Sequence, residues 1–306
     1  MHEPPKREYF RGDWPAQKTF VFARPPNYFQ LESQKFLGPV TVAYETYGTL
    51  LPDGSNAVYI GHALTGTAHA ANLPDQPDQE EGWWNALIGP GKVIDTERYF
   101  VVCANVLGGC YGTTGPASLN PETGVAYAMD FPVVTIRDMV RVQKRLLDHL
   151  GVKKLQAVIG GSLGGMQALE WAVTFPDLVD TVIPVAASER LTPLAIAYNQ
   201  AGRKAIMNDP NWHNGNYYNR TFPADGLALA RMIGTLTYKT KETFEERFGR
   251  KLAGRSRDYY NFYQDFEVES YLNYQGNKLV KRFDANAYLY LTKAMDLHDL
   301  GRGFPS

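Results

Sequence analysis

Residues 155–171, "LQAVIGGSLGGMQALEW", constrain this chain more than any other stretch: an apolar run ends in Gly-x-Ser-x-Gly at residues 160–164, and a helical pattern begins at once. A strand that becomes a helix across so short a turn forces an unusual backbone at the serine. It also demands small neighbours at both flanking glycines, so the motif gains its meaning from this context. A dinucleotide-binding turn would need Gly-x-Gly-x-x-Gly and an acidic residue placed for a ribose, and neither is matched. Ser162 is therefore read as a nucleophile.

Around that turn the chain alternates two periodicities. "YFQLES" and "VTVAYETYG" read as an opening pair of strands, "AVYIGH" and "YFVVCAN" as apolar strands buried on both faces, and "LQAVIGG" and "VDTVIPVAA" as two more. Between the fourth and fifth, Ile136, Met139, Val140, Gln143, Leu146, Leu147 and Leu150 follow helical spacing with one polar exception, and Gly151 supplies the stop. After the serine a second helix runs to Pro176. The alternation predicts an α/β fold: a mainly parallel sheet with helices on both faces. From about Ser188 the chain turns helical and polar-aromatic, with no convincing strand. The expected organisation is a core over residues 1–187, an inserted helical cap over 188–300, and the start of a return to the core over 301–306.

Composition excludes several function classes. Of 306 residues, 44% are hydrophobic and 21% charged, which rules out wholesale disorder. The 31 basic and 32 acidic residues nearly cancel, leaving no electrostatic footprint for nucleic acid or an anionic membrane, so small-molecule partners are expected. Two cysteines, Cys103 and Cys110, are too few for a disulfide framework and point to the cytoplasm. The opening "MHEPPKREYF" has prolines and charges where a signal peptide needs an apolar core, no run reaches transmembrane length, and no metal-ligand spacing is found.

A serine that attacks an acyl group needs an oxyanion hole. One donor would be the N–H of Leu163 at the helix start, the other the N–H of Leu64 in "GHALTGTAH", the loop after the third strand. Small Ala63, Thr65 and Gly66 would let substrate approach that backbone. His62 and His69 in the same loop read as structural rather than catalytic. "NVLGGCYGTTGP" follows the fourth strand at the same end of the sheet and is expected to wall the pocket.

Taken in order, "GHALTGTAH", "NVLGGCYGTTGPASLNP" and "IGGSLGGMQALEW" resemble the homoserine O-acetyltransferase family of the α/β-hydrolase fold, and the similarity runs on to "AMDLHDLGRG". The resemblance implies a two-step acyl transfer in methionine biosynthesis: Ser162 takes an acetyl group from acetyl-CoA, and the hydroxyl of homoserine removes it. Acetyl-CoA would be a substrate, with no bound cofactor; acetyl is preferred over succinyl as the donor on the "NVLGGC" loop. In "ADGLALARMIGTLTY" the resemblance places the homoserine carboxylate on Arg231, with Tyr238 nearby and Thr65 as a further contact. It also implies a homodimer through the cap.

The serine must be activated by a histidine held by a carboxylate. The resemblance implies that acid and base follow strands beyond the cap, whereas the sequence ends in "GRGFPS". Last strands, acid and base are thus expected to be absent from this chain. Of six histidines, His2, His62, His69 and His149 precede the serine, His213 lies in "NWHNGN", and nothing places His298 over the sheet. Glu189 stands where some relatives of the fold keep their acid. The expectation is a chain close to inactive alone, exposing a sheet edge and suited to pairing with a separate C-terminal fragment. Two other readings are a serine esterase on the same scaffold and a non-catalytic fragment that keeps the pocket.

Overall fold

The sheet predicted from the alternating strands is present in the computed structural model, which describes residues 17–72, 80–254, 260, 262 and 266–303. In chain order the strands are β1 (Lys18–Phe22), β2 (Phe29–Gln30), β3 (Phe36–Leu37), β4 (Val40–Tyr47), β5 (Ala57–Gly61), β6 (Ile88–Gly89), β7 (Ile94–Asp95), β8 (Phe100–Ala104), β9 (Leu155–Gly161) and β10 (Val182–Val185). The main sheet runs β1-β4-β8-β5-β9-β10, with β2–β3 and β6–β7 as small separate pairs. Strands β8, β5, β9 and β10 are parallel, and β4 and β1 continue the sheet antiparallel. Every residue of β5 and β8 is buried, as expected of apolar runs without alternation. From β5 the chain crosses to β8 on one side and then to β9 on the other. The carboxyl ends of these three strands therefore frame the crevice at which open parallel sheets bind ligands.

The opening pair differs from expectation. "YFQLES" contributes only the two residues of β2, because the chain turns back at Gln34 (φ 64°) into β3. The partner of β4 is β1, in register from Lys18 opposite Tyr44 to Phe22 opposite Val40. An edge strand needs one neighbour and one covered face, so five residues beginning with a lysine suffice, and they leave little pattern to read. At the other edge, Ile183 and Val185 of β10 are exposed. Cys103 and Cys110 are buried and form no disulfide.

Helix α1 (Ile136–Leu150) starts at a capping box between Thr135 and Asp138 and stops at Gly151, whose φ of 83° favours glycine. Its polar exception is explained by α2 (Leu163–Thr174). Buried Gln143 donates from Nε2 to Oε1 of Gln167 (2.7 Å), and its own Oε1 accepts from Nε1 of Trp171 (2.9 Å). The apolar stripe of α1 thus carries one amide that joins two buried polar groups of α2. Beside it, Arg137 bridges Glu170 (2.5 Å) and Glu32 (3.1 Å), and Arg302 reaches the same Glu32 (3.1 Å).

A second compact unit comprises residues 192–285. It holds α3 (Pro193–Met207), α4 (Ala224–Leu236), α5 (Lys241–Arg247) and α6 (Glu267–Val280), and α4 packs against both α3 and α6. Glycines allow these approaches: a Cβ on Gly226 would lie 2.7 Å from the Ala205 carbonyl oxygen, and one on Gly276 3.0 Å from that of Ala228. "NDPNWHNGNYYN" forms a short 3-10 turn over Pro210–Gly215. The unit ends earlier than residue 300. From Asn286 onward α7 (Ala285–Asp296) belongs to the sheet-bearing unit, where the Tyr290 hydroxyl donates to the carbonyls of Phe131 (2.6 Å) and Met129 (2.9 Å). Helical periodicity shows that a face is buried but not which core buries it.

The α1–α2 amide makes an apolar substitution unfavourable even within an apolar stripe. Gln143→Leu leaves Trp171 Nε1–H and Gln167 Oε1 buried without their partner, so stability should fall by about 2 kcal/mol. A urea unfolding midpoint that stays level or rises would contradict this account.

Candidate active site

Strand β9 ends at Gly161 and α2 begins at Leu163, so one residue makes the turn. That residue, Ser162, has φ 55° and ψ −121°, a conformation that persists only where the surroundings over-determine it. The surroundings do so twice over. Ser162 N–H donates to the Val185 carbonyl of β10 (2.9 Å), and its own carbonyl accepts from Met166 N–H in α2 (3.0 Å). In the sheet, Gly61 of β5 stands opposite Gly160 of β9. A Cβ on Gly164 would strike the Gly61 carbonyl, and one on Gly160 would strike the backbone of Gly164. The first turn of α2 therefore rests on bare backbone at the ends of two strands, leaving Ser162 half-buried at their carboxyl end.

The expected oxyanion donors lie at the start of α2 and in the loop that leaves β5. Leu163 N–H opens α2, where no intrahelical acceptor exists and the helix dipole is positive. Leu64 lies in the loop leaving β5, within a tight turn closed by Gly66 N–H on the Ala63 carbonyl (2.9 Å), and half-buried Thr65 follows it. Among the described residues, neither N–H is committed to an acceptor. Gln167 Nε2 spans the two segments, donating to the carbonyls of Leu163 (3.1 Å) and His62 (3.4 Å).

The two loop histidines have their ring nitrogens engaged by partners of different kinds. His62 Nδ1 faces the Ala63 carbonyl (2.8 Å) and Nε2 faces Val106 N–H (3.2 Å), which fixes a neutral ring donating at Nδ1 and accepting at Nε2. Burial agrees, pushing its pKa down to about 4. His69 instead has an acceptor at each nitrogen: Glu45 Oε2 at Nδ1 (2.9 Å) and the Glu80 carbonyl at Nε2 (2.6 Å). Two acceptors call for two protons, and the Glu45 carboxylate correspondingly raises the pKa of His69. The Tyr47 hydroxyl donates to the same Glu45 oxygen (2.7 Å) and accepts from Ala70 N–H (2.9 Å).

The loop after β8 is buried from Asn105 to Tyr111. It is sewn to β4 by Thr114 N–H on the Thr41 carbonyl (2.9 Å), Thr41 N–H on Thr114 Oγ1 (2.8 Å) and Ala43 N–H on Thr113 Oγ1 (2.9 Å). Asn105 was not singled out by sequence, yet its side chain contacts both loops. The available signal was a polar residue closing the apolar run "YFVVCAN".

In the helical unit, Arg231 and Tyr238 come together: an Arg231 guanidinium nitrogen donates to the Tyr238 hydroxyl (3.3 Å), and the guanidinium lies 5.2 Å from the ring centroid. His298 is buried with Nε2 on the Ser188 carbonyl (3.0 Å), and burial lowers its pKa. His149 stacks on Phe20, while His213 and Glu189 are exposed; His2 lies outside the described residues. None of the described histidines is hydrogen-bonded to Ser162. Among the described residues no cluster of three or more His, Cys, Asp or Glu could hold a metal, and no helix is long and apolar enough to cross a membrane.

The strand–serine–helix turn on a mainly parallel sheet defines an α/β hydrolase, and the profile of the alpha/beta hydrolase fold family matches residues 56–294. Over 278 residues the chain is 56% identical to the homoserine O-acetyltransferase of Deferribacter desulfuricans, covering 91% of this chain and 74% of that protein. The crystal structure of homoserine O-acetyltransferase from Bacillus anthracis superposes with a TM-score of 0.85 at 35% identity, over 95% of this chain and 78% of that one. Esterase E22 superposes with a TM-score of 0.83 at 36% identity, over 93% and 78%. The chain belongs to the homoserine O-acetyltransferase family.

The neutral His62 carries a pH signature. Its folded pKa lies below the ordinary value of 6.5, so between about pH 6.5 and 4 the unfolded chain binds the extra proton. The His62 contribution to stability is therefore complete above about pH 6.5 and declines as pH falls toward about 4. His62→Gln should flatten that part of the pH–stability curve measured by urea unfolding; an unchanged slope would show that His62 is not held neutral.

Proposed function

We propose that the chain transfers an acetyl group from acetyl-CoA to the hydroxyl of L-homoserine through an acetyl-Ser162 intermediate, in methionine biosynthesis. The observation that carries this reading is Ser162 on its over-determined turn, in a chain 56% identical over 278 residues to a homoserine O-acetyltransferase. Ser162 Oγ attacks the thioester carbonyl while a general base takes its proton. Leu163 N–H and Leu64 N–H receive the developing oxyanion, a contribution worth about 10²–10³ in rate for one such donor. Collapse expels CoA as its thiolate, which takes the proton from the base. The homoserine hydroxyl then attacks the acetyl-serine, gives its proton to the base, and leaves as the acetyl ester while Ser162 recovers a proton. Both substrates are small molecules and no bound cofactor takes part. None of the described histidines is bonded to Ser162, so none of them is assigned the role of that base.

Arg231 supports the choice of acceptor. A guanidinium fork suits a carboxylate, and the Tyr238 hydroxyl and ring steady its planar head. Thr65 borders the Leu64 donor as a further substrate contact. A cytoplasmic homodimer formed through the helical unit belongs to the same reading. Esterase E22 shares the scaffold, so the distinction between transferase and esterase rests on whether homoserine or water enters the acyl-enzyme.

Arg231→Ala in the intact protein should raise the KM for homoserine about 10- to 100-fold, the loss of a charge-assisted contact, and leave hydrolysis of p-nitrophenyl acetate within about twofold. Equal loss of both activities would count against homoserine as the acceptor.

A further inference from the structure

We infer that Asn105 is a positioning residue for the oxyanion hole, locking the loop that carries Leu64 onto the glycine-rich loop after β8. The inference rests on the reading that Leu64 N–H receives the oxyanion. The carboxamide of Asn105 is fully employed: Oδ1 accepts from Ala68 N–H (2.8 Å), while Nδ2 donates to the Tyr111 carbonyl (2.7 Å) and to Gln17 Oε1 (3.0 Å). An N–H can only donate and a carbonyl can only accept, so these partners fix the orientation of the amide. All three residues at this crossing are buried, with Asn105 3%, Ala68 0% and Tyr111 5% exposed. The Asn105 backbone is held in turn, its N–H donating to the Ala43 carbonyl in β4 (2.9 Å).

The loop carrying Leu64 is thereby tethered at its two ends to two consecutive residues of the β8 exit, Val106 and Asn105. At its start His62 accepts from Val106 N–H (3.2 Å); at its end Ala68 donates to Asn105 (2.8 Å). Leu64 lies in the span between these tethers. Trp83 Nε1 also donates to the Thr67 carbonyl at this end (2.9 Å), but Asn105 takes the Ala68 N–H. An oxyanion donor works only if it is in place before charge develops, so loosening this end of the loop would lose rate without losing the fold. Asn105 is assigned no contact with substrate; it acts through Leu64.

The test counts active sites of the intact protein by the burst of p-nitrophenol from p-nitrophenyl acetate and then measures the acylation rate per counted site. Asn105→Ala should lower that per-site rate about 10- to 100-fold, somewhat less than deleting a donor outright, with the homoserine KM within about twofold. A variant with fewer countable sites but an unchanged per-site rate would show that Asn105 serves stability only, and would overturn the assignment. Asn105→Asp gives a second readout should the alanine variant fold poorly. Protonated, its carboxyl can accept from Ala68 N–H and donate to the Tyr111 carbonyl, whereas the carboxylate cannot donate. The ratio of variant to wild-type per-site rate should therefore climb toward one as pH falls, and a pH-independent ratio would also overturn the proposal. Failure of the proposed function has a different signature: a burst persisting in Ser162→Ala, or a homoserine KM indifferent to Arg231→Ala.

Discussion

The contact on which the rest of this structure depends has no side chains in it. Gly61, Gly160 and Gly164 bring the backbones of β5, β9 and the first turn of α2 together so closely that a methyl group at Gly160 or Gly164 would strike a neighbouring backbone. Because α2 starts there, the chain has one residue in which to turn from strand to helix, and Ser162 takes the strain. Because β10 and α2 each hold one end of that residue by a backbone hydrogen bond, the strain cannot relax. The same contact aligns the ends of β5 and β9, which sets the loop carrying Leu64 beside the turn carrying Ser162. Main-chain packing thus sets the backbone of the Ser162 turn, and side chains such as Asn105 hold the loop that leaves β5.

How much of this was legible in the sequence follows from what each signal encodes. The long amphipathic helix α1 announced its start and stop through Thr135, Asp138 and Gly151, because caps are local chemistry. The turn at Ser162 was legible because glycine spacing records close approach. Strand β1 leaves little pattern because it is an edge strand of five residues, and the periodicity of α7 does not name the surface it packs against. His62 and His69 look alike in the sequence, and what distinguishes them, Val106 N–H on one ring and the Glu45 carboxylate on the other, is distant in sequence. Asn105 gave almost no warning, because one carboxamide among apolar residues looks the same whether it closes a strand or braces two loops.

The similarity to both homoserine O-acetyltransferases and an esterase has a physical basis in this division of labour. In the proposed reading, forming an acyl-serine draws on the Ser162 turn, the Leu64 and Leu163 donors and a base, and the first two lie in the sheet-bearing unit. Choosing what removes the acyl group is a separate problem, and in the proposed reading it falls to residues such as Arg231 and Tyr238 on the helical unit. A scaffold that separates the two tasks can change its acceptor without disturbing its nucleophile.

One further consequence lies in the two histidines that bracket the Leu64 loop. Burial drives the pKa of His62 down to about 4, so around neutrality that ring stays neutral, donating at Nδ1 and accepting at Nε2, while the Glu45 carboxylate shifts His69 the other way. The His62 end of the loop therefore keeps both its charge and its hydrogen bonds through moderate changes in pH around neutrality. An ionisation observed near neutral pH would come from a group other than His62.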